Sequence, residues 1–295
     1  MPIPIIDLFA GPGGLGEGFS SLLNDENRKL FKIVLSIEKD REAHKTLTLR
    51  SFFRQFEIGE VPYDYYKFLQ GSITIDELYN KWPVQFEEAK REAWCAELGN
   101  GPQAVRNTIV DQRIIEALNG EEDWILIGGP PCQAYSNIGR SRRKEKVLDG
   151  KKDARVELYK QYLRILAVHN PSVFVMENVK GLLSAETNES PVFTKILEDL
   201  KDPVAAYQQE NPDEFFEQIC PGYKIYSLIK EPEGYDINGD PIIQQKDFVI
   251  RAEKYGIPQT RHRVILLGVR RDIEITPRPL GVQSEVPISK VISGL

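Results

Sequence analysis

Cysteine, histidine and methionine are scarce in this chain, whose 295 residues include three, three and two of them. Cys95, Cys132 and Cys220 are too few and too scattered for a disulfide framework or a zinc knuckle. His44, His169 and His262 show no metal-ligand spacing and are expected to have no role in chemistry. No uninterrupted apolar run approaches the roughly 20 residues that a membrane helix needs. The start, Met1-Pro-Ile-Pro-Ile-Ile-Asp7, has neither the basic region nor the small-residue cleavage site of a secretory signal. Repeats and low-complexity tracts are missing too. These absences lead us to expect a soluble, cytoplasmic protein with no metal and no membrane partner.

A surplus of positive charge is also lacking: Lys and Arg total 38 against 44 Asp and Glu, a net charge of −6. An average of this sign argues mildly against nucleic-acid binding, but phosphate contact depends on local patches. One segment reverses the sign, Gly139-Arg-Ser-Arg-Arg-Lys-Glu-Lys146 followed by Lys151 and Lys152.

What is present is an alternation of strands and helices. Pro2 to Leu8 reads as a buried strand, Gly11-Pro-Gly-Gly-Leu-Gly16 as a turn, Glu17 to Leu23 as a helix and Phe31 to Ile37 as a second strand ending at Glu38. That succession is the first unit of a doubly wound α/β sheet. Residues from about 50 to 93 carry many aromatics (Tyr63, Tyr65, Tyr66, Phe68, Trp82, Phe86) and read as a mostly helical insertion with a small core of its own. Further strands are expected at Trp94 to Leu98, Trp124 to Ile127, Val173 to Met176, Tyr223 to Ile229, Asp247 to Arg251 and Arg263 to Val269. Helices are expected at Val105 to Leu118 and Leu158 to Val168, and across much of Glu186 to Glu217. The expected fold is α/β and Rossmann-like, a mostly parallel sheet with helices on both faces.

Four places carry candidate chemistry. Gly11, Gly13 and Gly16 satisfy G-x-G-x-x-G after a strand, and Glu38 ends the next one. Glycine lets the backbone approach a ligand while the acid accepts hydrogen bonds from ribose hydroxyls, which suits either a dinucleotide such as NAD or S-adenosylmethionine. Cys132 follows a buried strand through Gly128-Gly-Pro-Pro131 and precedes the basic segment, where neighbouring cations can favour a thiolate. Glu177 stands at a strand's carboxyl end and is a candidate proton donor. Arg261 and Arg263 flank His262 at a strand start, where alternate residues share a side.

In this order, Asp7-Leu-Phe-Ala-Gly-Pro-Gly-Gly14, Gly129-Pro-Pro-Cys-Gln-Ala-Tyr-Ser136, Glu177-Asn-Val179 and Tyr255-Gly-Ile-Pro-Gln-Thr-Arg-His-Arg263 resemble the motif series of DNA cytosine carbon-5 methyltransferases. The resemblance spans nearly the whole chain. It implies S-adenosylmethionine as cofactor, Cys132 as nucleophile, Glu177 at ring nitrogen 3, Arg263 at the exocyclic oxygen and Arg261 in support. It places Phe9, Ala10, Gly11, Gly13 and Gly14 around the methionine part, Glu38 on the ribose, and Pro131 and Leu158 in the pocket lining. The adenine acid is Glu97, with Asp111 as runner-up, because no Gly-Asp-Ile stands where the family has one. The implied substrate is double-stranded DNA with its target base flipped out, and the segment from Gly139 to Arg143 is similar to the family's loop that closes over the flipped base. The implied catalytic domain is residues 1–275, with 276–295 beginning a connection to a target-recognition domain that is absent or supplied by a second polypeptide. Transfer RNA as substrate and, more remotely, an NAD-linked oxidoreductase are the competing readings.

Overall fold

The computed structural model describes residues 1–131, 154–184, 191–209, 211–212 and 220–293, with 154–157 by backbone alone. Cys132 and the basic segment 139–152 lie outside the described residues, and the helical expectation for Glu186–Glu217 is covered only in part. Two compact units are resolved, Met1–Gly128 and Gly129–Leu295.

In the first unit four parallel strands lie side by side in the order β3-β2-β1-β4, with β1 at Ile3–Leu8, β2 at Phe31–Glu38, β3 at Ala93–Cys95 and β4 at Ile125–Gly128. Ile5, Ile6, Leu8, Leu35, Leu126 and Ile127 are fully buried, as expected of parallel strands covered on both faces. Helix α1 (Gly14–Ser20) follows β1 directly and starts three residues earlier than the apolar spacing predicts, because Gly13 turns the chain with φ 85° and serves as its N-cap.

After β2 the chain enters α2 (Arg41–Arg54), α3 (Tyr63–Leu69), α4 (Ile75–Lys81) and α5 (Pro83–Glu92). Local chemistry sets their ends. The Asp40 side chain accepts from the Ala43 amide at 2.8 Å to cap α2, Thr74 and Glu77 form a capping box on α4, and Pro83 opens α5. Phe52, Leu78, Tyr79 and Ala89 form a core among these helices, with Tyr65, Phe68, Trp82 and Phe86 packed around it. The insertion thus has the separate core expected from its aromatics. Strand β3 follows α5 directly and is only three residues long, ending before the predicted Leu98. Helix α6 (Asn107–Leu118) closes on Asn119 in a left-handed conformation.

In the second unit β8 (His262–Arg270) is central and every described pairing with it is antiparallel. Strand β5 (Val173–Val179) runs its full length, while β6 (Tyr223–Tyr226) and β7 (Val249–Arg251) take opposite ends of its other edge. The β6 and β7 expectations are thereby shortened; residues 245–248 form a 3₁₀ turn instead. A Cβ on Gly268 would fall 2.0 Å from the Phe174 ring, so only glycine fits where β5 and β8 meet. Tyr162 of α7 (Ala154–His169) donates to the Val175 carbonyl at 3.3 Å, and Phe174 meets Tyr162 and Tyr223 edge-on. Helices α8 (Val192–Lys201) and α9 (Pro203–Gln208) follow, and α10 (Ser289–Ile292) lies near the end.

Candidate active site

In the first unit the carboxyl end of β1 opens into a turn with three positive φ values, Phe9 at 57°, Gly11 at 56° and Gly13 at 85°. A phenylalanine rarely adopts that conformation, and such strain persists only where the surroundings impose it. Here the clamp is Glu38. The Gly11 amide donates to its Oε2 at 2.8 Å and the Asp40 amide to its Oε1 at 2.7 Å, while the Ala10 amide donates to the Ile37 carbonyl at 3.1 Å. Each carboxylate oxygen keeps lone-pair capacity for a ribose hydroxyl. Gly11 has open space where a side chain would project. An acceptor at the end of β2 beside an unobstructed glycine turn suits the ribose and tail of S-adenosylmethionine.

Glu97 stands two residues beyond β3, and β3 pairs in register with the end of β2, Cys95 opposite Glu38. Its carboxylate lies 3.6 Å from Lys39 Nζ and packs against Gly101. Asp111 is inside α6, past its first turn. Of the two adenine candidates, Glu97 is the one next to the strand end that carries Glu38.

Sequence reasoning missed Asp7. It is 1% exposed, and neither carboxylate oxygen is bonded by another side chain or by a well-aligned amide. Burial pushes its pKa up to about 7, against the pull of Arg54 and the Gly16 amide. Only its place in an otherwise apolar strand could have signalled this.

In the second unit Glu177 and Arg263 come from neighbouring antiparallel strands. Glu177 pairs with Ile265 and Val179 with Arg263, so acid and cation are diagonal neighbours. Arg263 Nε lies 2.6 Å from Glu177 Oε1, with the side chains 23% and 30% exposed. The other carboxylate oxygen faces Gly129, 3.1 Å from where a Cβ would sit. Asn178 donates through Nδ2 to the Pro130 carbonyl at 3.1 Å, tying the Gly-Pro-Pro segment to the strand that carries the acid. This bond gives Asn178 a positioning role that the sequence showed only by adjacency. Pro131 is half-buried and Leu158 buried in α7.

Arg261 does not share Arg263's setting. It precedes β8, is exposed, and has no ion pair among the described residues, whereas alternation in a strand had put the two on one side. His262, expected to be idle, pairs with Glu253 at 3.0 Å and ties the turn at 252–255 to the start of β8. Among the described residues no cluster of His, Cys, Asp and Glu could hold a metal, and no helix is long and apolar enough to cross a membrane.

Parallel strands joined through a glycine turn, an acid ending the second strand, and a further unit of antiparallel strands around β8 define a Rossmann-like α/β fold. The chain matches the model of the C-5 cytosine-specific DNA methylase family over residues 99–208. It is 30% identical over 282 residues to the type II methyltransferase M.Bpa9945I of Bacillus paralicheniformis, covering 91% of this chain and 54% of that protein. Against the type II methyltransferase M.DdeI of Desulfomicrobium norvegicum the identity is 27% over 288 residues, 98% of this chain and 44% of the other. The DNA (cytosine-5-)-methyltransferase M.ApeKI of Aeropyrum pernix is 32% identical over 162 residues, 53% of this chain and 29% of that one. The chain therefore spans about half the length of the first two relatives.

Proposed function

We propose that this chain is the catalytic part of a DNA (cytosine-5-)-methyltransferase of a restriction–modification system, with residues 1–275 as the catalytic domain. The observation that carries the reading is the Glu177–Arg263 pair, set 2.6 Å apart beside the Gly129-Pro-Pro segment that leads into Cys132. The relatives' names, type II methyltransferase and DNA (cytosine-5-)-methyltransferase, support it.

Carbon 5 of cytosine is too poor a nucleophile to take a methyl group directly. The Cys132 thiolate adds to carbon 6, and the electrons of the 5,6 double bond move to carbon 5. Glu177 holds a proton at ring nitrogen 3 and keeps charge from accumulating there. Arg263 holds the exocyclic oxygen, and Arg261 supports the loop or a phosphate. S-Adenosylmethionine, when bound, supplies an electrophilic methyl group, with Phe9, Ala10, Gly11, Gly13 and Gly14 around its methionine part. Glu38 orients the ribose and Glu97 the adenine, while Pro131 and Leu158 line the pocket. Loss of the carbon-5 proton restores the double bond and expels the thiolate. A stacked base cannot enter such a site, so the cytosine is flipped out at a cost of a few kcal/mol.

Duplex DNA substituted with 5-fluorocytosine tests the reading, because fluorine cannot leave as the proton does. With S-adenosylmethionine we expect a covalent complex stable to denaturing electrophoresis, and none from Cys132→Ser. Equal trapping by the variant would remove Cys132 as nucleophile. Trapping on 5-fluorocytosine-substituted transfer RNA alone would replace DNA with RNA as substrate.

A further inference from the structure

Three elements of the first unit meet at one buried cation. Arg54 is the last residue of α2, and its side chain is 8% exposed. One guanidinium nitrogen reaches Glu17 Oε2 on α1 at 2.8 Å, and another holds Glu92 Oε1 at the end of α5. Gln55 donates to the second Glu92 oxygen at 3.2 Å, and the Arg54 carbonyl accepts from Lys29 Nζ at 3.1 Å. Asp7 of β1 feels the same guanidinium, with the Gly16 amide on α1 and the carboxylates of Glu92 on α5 and Glu38 on β2 around it.

Position gives this cluster its meaning. Glu17 is in the first turn of the helix that the glycine turn begins. Glu92 is the residue before β3, the strand that delivers Glu97. Arg54 therefore joins the part of the chain offered to the methionine end of the cofactor to the part offered to its adenine end. A planar guanidinium forking between two carboxylates fixes both distance and angle, and removing it would leave the buried Glu92 carboxylate without its cation.

We propose that Arg54 is a positioning residue for the cofactor: it sets the spacing between the glycine turn and the strand that leads to Glu97, and so makes the ends of α2 and α5 a working part of the cofactor site. The proposal rests on the reading that this turn binds S-adenosylmethionine. A ligand that spans both ends is sensitive to their spacing, whereas a fragment that touches one end is not.

The test is calorimetric titration of the full chain with S-adenosylhomocysteine and, separately, with adenosine. Arg54→Met is expected to weaken S-adenosylhomocysteine about tenfold or more and adenosine by less than about threefold. Arg54→Lys, which keeps the charge but not the fork, is expected to move the ratio of the two affinities in the same direction by less, and keeps the test open if the methionine variant does not fold. Leu78→Ala, in the insertion's core, should lower the melting temperature and leave the ratio alone. An unchanged ratio in folded Arg54 variants, or an equal change in Leu78→Ala, would overturn the proposal. A wild-type chain that binds neither ligand would overturn the cofactor reading itself, and with it the proposal.

Discussion

Asp7 sits one residue from the end of β1, 1% exposed, with its pKa raised by burial from 3.8 to about 7. Between roughly pH 4 and 7 the folded chain keeps a proton that the unfolded chain has lost, so stability falls as the pH rises, and the penalty is complete above 7. A shift of that size corresponds to roughly 4 kcal/mol at about 1.36 kcal/mol per unit. Asp7→Asn is therefore expected to melt higher than wild type at pH 8, the difference shrinking toward zero near pH 4 in a calorimetric series. A constant difference across that range would show that Asp7 is ionised throughout. Gly13 is constrained in another way, by φ 85° and by Leu47 Cδ1 lying 2.8 Å from where a Cβ would be. Gly13→Ala should cost more than ~1 kcal/mol in chemical denaturation and weaken S-adenosylhomocysteine in the same preparation. Glycine and strand-end acid could be read from the sequence because local spacing carries the signal. Asp7 and Arg54 could not, since 47 positions separate them and only tertiary packing brings the cation to the acid.

At the scale of elements, the insertion shows how far composition can be trusted. Its aromatics predict a separate core, and Tyr79 stacks on Phe86 at 3.9 Å while Phe52 meets Phe56 and Tyr79 edge-on. What composition could not supply was the boundaries. Helix α1 begins at Gly14 because left-handed Gly13 caps it, and β3 starts directly after α5 and stops at Cys95, short of the predicted Leu98. The fully buried Leu78 anchors α4 within this core, and Leu78→Ala is expected to cost about 2–5 kcal/mol in urea unfolding, as core truncations do. A cost below ~1 kcal/mol would mean that the four helices are held by their caps and ion pairs instead. The arginine motif is the converse case. Alternation put Arg261 and Arg263 together, yet the strand begins at His262, so only Arg263 is fixed opposite Val179 and within reach of Glu177.

For the molecule as a whole, the choice between S-adenosylmethionine and NAD is a question of which ligand the native state binds. The glycine pattern leaves both open, and an acid ending β2 serves either ribose. The chemistry proposed for the second unit favours S-adenosylmethionine, because an NAD-linked oxidoreductase has no use for a strand-end glutamate paired with an arginine beside Gly129 and Pro130. A ligand that binds only the folded chain stabilises it by about 2.7 kcal/mol at 100 times its dissociation constant. In a domain of this size each kcal/mol raises the melting temperature by roughly 2–4 °C. Saturating S-adenosylhomocysteine should therefore shift the melt upward by about 5–10 °C, with NAD at the same concentration giving no shift. The Gly13→Ala chain should lose most of that gain while still unfolding cooperatively, since the strain falls on the turn and on the tip of Leu47. A shift with NAD alone would reassign the glycine turn to a dinucleotide and detach it from the chemistry proposed for Cys132, Glu177 and Arg263.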